Sequence, residues 1–290
     1  MSKPLVQHFL ELLSHASLRT LYRLGDMLAF VAGNTPNRLS RTTRQNIALC
    51  FPELDSTAQR RLYRRSIRHT CYSAVEVAAV WCWPMEKIQR HITEVEICDS
   101  FDACTRGRII LLPHLGSWET LAVWLGQRIN VMYLYKQHKN KSIDAFVKQA
   151  RARTGGIPVP TEKHGLRQLL TGLKRGGSAV ILPDQKPREN KVRTESTFFG
   201  LSAPTSTLVQ NLCAKLDCEV FIAIVYRTAP LGNFGLCLES LDRTRLAGDR
   251  QESARYMNEQ IEQWVRRFPE QYNWGYRRFS NHVYESANRE

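Results

Sequence analysis

Acidic side chains are scarce in this 290-residue sequence: 27 Asp plus Glu stand against 41 Lys plus Arg, a net charge of +14. Such a surface repels other cations and attracts polyanions, whether nucleic acid, anionic lipid headgroups, phosphorylated ligands or an acidic carrier protein. The shortage is local. Between Lys136 and Arg193, fourteen basic residues meet four acidic ones (Asp144, Glu162, Asp184, Glu189), a local charge of +10. None of the 8 cysteines forms a Cys-x-x-Cys pair, and the closest two, Cys213 and Cys218, have no matching His or Cys pair nearby. That argues against a structural zinc site, and no metal is expected. Most of the cysteines sit among apolar residues and are expected as buried free thiols in a reducing compartment. There is no low-complexity stretch and no repeat, which excludes solenoid architectures. No apolar stretch followed by a small-residue cleavage site reads as a secretory signal.

A long uninterrupted apolar run is also missing. Residues Leu5 to Ala32 are rich in Leu, Val, Phe and Met, but Glu11, Arg19, Arg23 and Asp26 break them up, so they fall short of a spanning helix. The interruptions have order. Glu11, His15, Arg19, Arg23 and Asp26 follow spacings of four and three, one polar stripe on a helix, and Leu10, Leu13, Leu21, Leu24 and Leu28 lie off it. Residues 1–35 are therefore expected as an amphipathic helix, packed on the protein's own core or lying in a membrane interface. Residues 36–290 are expected to form a single domain, for which this length supplies a sizeable core.

What is present reads as α/β. Pro52 breaks helix, and Asp55 or Ser56 caps a long helix running to Trp81, ended by Pro84. Then strands begin: Arg108 to Leu112, Val131 to Tyr135, Ala179 to Leu182, Glu219 to Tyr226 and Phe234 to Leu238. Helices are expected over 143–153, 164–174 and 252–268. Alternation of this kind implies an α/β/α layered fold with a mainly parallel central sheet behind an N-terminal helical segment. Two strands echo one another. A Gly-containing turn, four apolar residues and Pro113-His114 match a Gly-containing turn, four apolar residues and Pro183-Asp184. Ligands of open α/β sheets bind at the carboxyl ends of strands, so His114 and Asp184-Gln185 are expected on one sheet edge if the two strands are parallel.

His114 opens the run His-Leu-Gly-Ser-Trp-Glu, ending at Glu119. Imidazole ordinarily titrates near neutrality and can take a proton from an alcohol as a bond forms, while a nearby carboxylate can orient it. Backbone N–H groups around Gly116, Ser117 and Trp118 are candidates for an oxyanion site at the start of the following helix. A base, an orienting acid and an oxyanion site suit direct acyl transfer from a thioester to a hydroxyl, with no protein nucleophile and no cofactor. The pattern His-x4-Glu is short, and a structural histidine remains the competing reading.

From Leu18 to Phe279 the chain resembles the bacterial lipid A biosynthesis acyltransferases, the late lauroyl and myristoyl transferases of the lysophospholipid acyltransferase-like superfamily. The resemblance is carried by Asn46-Ile47 with Phe51-Pro52-Glu53-Leu54 and by His114-x4-Glu119. Further along it is carried by Pro183-Asp184-Gln185 with Phe198-Phe199-Gly200 and Ala203-Pro204-Thr205, and by Pro269-Glu270-Gln271-Tyr272-x-Trp274-x-x-Arg277-Arg278-Phe279. It implies a glycerolipid-acyltransferase-like fold, an acyl carrier protein thioester as donor, and an anionic glycolipid acceptor at the cytoplasmic face of a bacterial inner membrane. It implies His114 as base and Glu119 as its partner. It also implies Arg151 and Arg153 as contacts to phosphate or the transition state, and Asp184 and Gln185 as residues beside the site. The aromatic and arginine residues from Trp274 to Phe279 are expected to be packing with cation–π contacts.

Two other readings share some of these features. A related glycerolipid or glycolipid acyltransferase, acting on a lysophospholipid or a mannoside, would use the same chemistry with another acceptor pocket. A basic nucleic-acid-binding protein would account for the charge but not for His114, and no zinc spacing or RNP-type aromatic motif supports it.

Overall fold

The computed structural model describes residues 5–137, 140–187 and 192–286. Lys139, Arg188, Glu189 and Lys191 of the basic segment lie outside the described residues. The first ninety residues are helical: α1 (Leu5–Leu13), α2 (Leu18–Asn34), α3 (Arg38–Cys50), α4 (Ser56–Cys82) and the short α5 (Met85–Gln89). The expected single N-terminal helix is two. Ser17 ends the interruption by capping α2, its side chain accepting the Thr20 N–H, as an N-cap serine does. Asp55 caps α4 through the Ala58 N–H. α2 lies along α4, with the Tyr22 and Tyr72 rings 4.7 Å apart.

The strands are β1 (Ile92–Ile97), β2 (Gly107–Leu111), β3 (Val131–Tyr135), β4 (Ile157–Pro160), β5 (Ser178–Ile181), β6 (Arg193–Phe198), β7 (Leu201–Ser206), β8 (Cys218–Arg227) and β9 (Phe234–Leu241). Seven of them form one sheet in the order β1-β9-β8-β2-β5-β3-β4, and β6 and β7 pair as a separate hairpin. From β8 to β4 every neighbouring pair is parallel. β9 runs against β8, and β1 runs with β9. The remaining helices are α6 (Asp99–Asp102), α7 (Thr120–Leu125), α8 (Lys141–Ala152), α9 (Lys163–Lys174), α10 (Leu208–Lys215), α11 (Arg243–Ala247), α12 (Arg250–Arg267) and α13 (Asn281–Ser286). Alternate residues of a strand face opposite sides, and the core divides accordingly. Ile109, Leu111 and Ile181 pack with Leu169, Leu212 and Ile261 on one face; Ile110, Val180 and Phe221 pack with Tyr72, Val75 and Leu121 on the other. The layered, mainly parallel α/β architecture expected from the sequence is the one found.

Four strands escaped the sequence reading. β4 carries Pro158 and Pro160, which exclude it from a sheet interior; it is tolerated because it is the edge strand. β1, at the other edge, is mostly exposed. The β6–β7 hairpin turns at Phe199 and Gly200, both with positive φ (53° and 72°). Such turns favour Asn-Gly, and a phenylalanine hides the signal. Packing holds it there: the Phe199 ring lies 5.2 Å from Phe51 and 5.7 Å from Trp274. Three motifs that carried the resemblance, far apart in sequence, thus meet in one aromatic cluster. Arg278 is buried beside it, donating to the Pro204 carbonyl at 2.6 Å and to Thr205 at 2.8 Å, consistent with a packing role.

Candidate active site

The site is built on the register of two parallel strands. Arg108 to Leu111 pair with Ser178 to Ile181, and the Leu112 N–H continues the ladder onto the Ile181 carbonyl at 2.9 Å. Each chain then passes one proline, and His114 and Asp184 emerge side by side, as the echo in the sequence predicts. Asp184 takes the His114 backbone N–H on Oδ2 at 2.9 Å and meets His114 Nδ1 with Oδ1 at 2.8 Å. A carboxylate can only accept, so Nδ1 carries a proton, and in the neutral ring Nε2 is the nitrogen with the lone pair. The Gln185 side-chain amide nitrogen lies 3.1 Å from that Nε2 and donates to it. Burial alone would raise the Asp184 pKa; attraction to His114 and the hydrogen bonds from its side chain and backbone outweigh this and hold it below the ordinary 3.8.

The carboxylate oriented on His114 is therefore Asp184, where the sequence pattern nominated Glu119. Glu119 serves another cation. Arg151 reaches it in a two-pronged contact, Nη2 to Oε1 at 2.5 Å and Nε to Oε2 at 3.3 Å, and the Trp81 indole N–H donates to Oε2 at 3.2 Å. Burial works to raise the Glu119 pKa, but Arg151 first, then Trp81 and His114, hold it below 4.5. Spacing explains the exchange. His114 is in the loop after β2, whereas Glu119 directly precedes α7, five residues on and facing α8.

His114, Trp118, Glu119, Arg151 and Gln185 line a cavity of about 830 Å³ at the carboxyl edge of the sheet. Its walls are mostly apolar, including Leu166, Leu182 and Val209. The Trp118 ring stands against the imidazole with centroids 5.2 Å apart. Arg153 points elsewhere: it donates to the Val80 and Trp83 carbonyls at 2.9 and 2.5 Å, closing the end of α4. The oxyanion expectation is also narrowed. The Gly116 N–H donates to the Gln271 carbonyl at 2.9 Å and the Ser117 N–H to Val225 at 2.7 Å, and the Ser117 hydroxyl pairs with Thr120 at 2.8 Å. Of the three nominated N–H groups, only that of Trp118 lacks an acceptor among the described residues.

One group was missed altogether. Arg227, at the end of β8, is buried and forms a forked pair with Glu76 of α4 at 2.6 and 2.7 Å. Its Nη2 also donates to Ser73 at 2.7 Å and approaches the Gly116 carbonyl at 3.3 Å, and the Tyr22 hydroxyl donates to Glu76 at 2.6 Å. The signal was an acid inside the apolar stretch Ser73-Ala-Val-Glu-Val-Ala-Ala and a cation closing the most apolar strand; buried charges are retained only when paired.

Residues 4–281 match the family model described as bacterial lipid A biosynthesis acyltransferase. The lipid A biosynthesis palmitoleoyltransferase of Escherichia coli (strain K12) is 24% identical over 260 residues, 88% of this chain and 83% of that protein. The lipid A biosynthesis lauroyltransferase of the same organism is 24% identical over 264 residues, 89% of this chain and 85% of that one. A lipid A biosynthesis acyltransferase of Haemophilus influenzae is 24% identical over 271 residues, 92% and 83% of the two chains. With its strand-exit histidine on an apolar cavity and its motifs gathered by the fold, the chain belongs to the bacterial lipid A biosynthesis acyltransferases and is an acyltransferase.

Proposed function

We propose that this enzyme moves a fatty acyl chain from an acyl carrier protein thioester to a hydroxyl of a lipid A precursor, with His114 as general base. The observation that carries the reading is the fixed tautomer: Asp184 holds Nδ1–H, and Nε2 faces the cavity, where among the described residues its hydrogen-bond partner is the Gln185 amide. An acceptor hydroxyl takes the place of that amide. Nε2 receives its proton as the oxygen attacks the thioester carbonyl carbon. The C–S bond then breaks, and the imidazolium returns the proton to the departing thiolate. Charge builds on the carbonyl oxygen, and Arg151, anchored by Glu119 and lining the cavity, supplies donors for it with the Trp118 N–H. No step needs a cofactor or a nucleophilic side chain.

The partners follow from charge and surface. An acidic carrier protein and an anionic glycolipid are both drawn by a net charge of +14. Residues 1–35 associate with the lipid surface, the cytoplasmic face of the inner membrane, while residues 36–290 are the catalytic body. No helix among the described residues is long and apolar enough to cross a membrane, which fits a segment lying in the interface. Mass spectrometry of products from the purified enzyme, acyl carrier thioesters of several lengths and a lipid A precursor tests the reading, with lysophospholipid and mannoside acceptors alongside. One acyl group added to the lipid A precursor is expected, and none with His114→Ala, whose circular dichroism should match the wild type. Transfer undiminished in His114→Ala overturns the mechanism; transfer to another acceptor alone overturns the substrate.

A further inference from the structure

The most aromatic motif of the chain, Pro269 to Trp274, contributes no side chain to the cavity, yet three of its consecutive residues each hold one part of the catalytic turn. The segment is rigid. α12 ends at Arg267, and a single 3-10 turn spans Pro269–Gln271. The Trp274 indole N–H then ties back to the Pro269 carbonyl at 2.6 Å, and Arg65 pairs with Glu270 at 2.6 Å. Gln271 is buried and sets the register. Its side-chain oxygen accepts the Arg227 N–H at 2.8 Å and its amide donates to the Arg227 carbonyl at 3.0 Å, extending β8 by one side chain. Its own carbonyl takes the Gly116 N–H at 2.9 Å. Tyr272 is 4% exposed; it bridges to Leu115 through the backbone, and its phenol stands beside the Asp184 carboxylate. The Asn273 N–H donates to the His114 carbonyl at 3.0 Å.

We propose that Gln271, Tyr272 and Asn273 form a positioning element for acyl transfer, holding the backbone of Gly116, Leu115 and His114 respectively, with the Tyr272 phenol set against Asp184. The inference rests on the proposed role of His114 as base. A general base acts only when its nitrogen sits within a few tenths of an ångström of the productive place, so residues that touch no substrate can still govern rate. His114 has four anchors: Asp184 on its N–H, Asp184 on Nδ1, Asn273 on its carbonyl, and the Gly116 turn behind it. Two of these run through the 271–273 segment directly. The other two come from Asp184 itself, which the Tyr272 phenol backs. Tyr272 itself performs no chemistry: burial first, and then the neighbouring Asp184 carboxylate, raise its phenol far above the ordinary range, so it stays protonated.

The discriminating variant is Tyr272→Phe, which removes one hydroxyl and keeps the ring against Trp274. We expect a thermal midpoint close to wild type, KM for both substrates unchanged, and kcat lowered by about tenfold. Placed on top of Asp184→Asn, the same change should cost less than about twofold further, because groups acting as a unit are not additive. Gln271→Met, which keeps the volume and loses both bonds to Arg227, should lower kcat in the same way with some loss of stability. Wild-type kcat in a folded Tyr272→Phe enzyme overturns the positioning role. So does a loss that multiplies fully with that of Asp184→Asn. Full activity in His114→Ala would instead remove the base itself, and with it the thing positioned.

Discussion

Two carboxylates lie within reach of one histidine, and what each touches separates their tasks. Asp184 is spent on the imidazole, fixing its tautomer; Glu119 is spent on Arg151, aiming a guanidinium at the cavity. Their removal should therefore differ in size. Asp184→Asn is expected to lower kcat by about four orders of magnitude, since an amide facing Nδ1 favours the tautomer that protonates Nε2. Glu119→Gln should cost about two orders, with Arg151→Gln similar and the double variant scarcely worse, as expected of a pair acting together. Initial rates with saturating donor thioester measure this. Equal losses for Asp184→Asn and Glu119→Gln would mean that the two share the orienting task after all. Both acids are held below their ordinary values of 3.8 and 4.5, so each stabilises the fold fully above those values, and that contribution is lost as pH falls through the depressed ones.

At the scale of elements, the site is a matter of strand ends and one sharp turn. Gly116 has φ +63°, and a Cβ there would stand 2.0 Å from the Val225 carbonyl oxygen. Gly116→Ala should thus displace the turn, lowering the thermal midpoint by several degrees, a strain of about 1–3 kcal/mol or more, and abolishing transfer. A variant that melts and turns over like wild type would show that the turn is not the frame of the site. The sequence carried this element well, because strand, Pro and Gly are local signals: β2, β3, β5, β8 and β9 were legible as apolar runs, and the echo placed Asp184 beside His114. What depends on register between distant segments was not legible. Nothing within the six residues from His114 to Glu119 reveals that Glu119 turns to α8, nor does the run around Arg153 reveal that it closes α4. The prolines of β4 and the phenylalanine at the hairpin turn work against local preference, and only edge position and aromatic packing account for them.

At the scale of the whole molecule, apolar surface is distributed as unevenly as charge. Of the twelve large hydrophobic residues that stand exposed among the described residues, Leu5, Val6, Phe9, Leu12, Met27, Leu28, Phe30 and Val31 lie on α1 and α2. The opposite sides of these helices are used: Leu10, Leu18, Leu21 and Tyr22 are buried, as the core reading of the segment expects, and the exposed side is the one the interface reading requires. α1 packs on α4 and α8, whose Trp81 and Val147 line the cavity, which sets α1 behind the cavity wall. An exposed patch of this kind on a basic protein suits an anionic bilayer. The full chain should sediment with vesicles containing anionic phospholipid, less so with neutral ones, and less at 1 M salt, where the screening length falls to about 3 Å. Phe9→Ser with Phe30→Ser should release it from vesicles, lower transfer to an acceptor embedded in them by about tenfold, and leave transfer to a detergent-dispersed acceptor as in wild type, because neither side chain touches the cavity. Vesicle binding indifferent to both substitutions would place the membrane contact on another face; equal losses in detergent would mean that the two side chains hold the fold rather than the lipid.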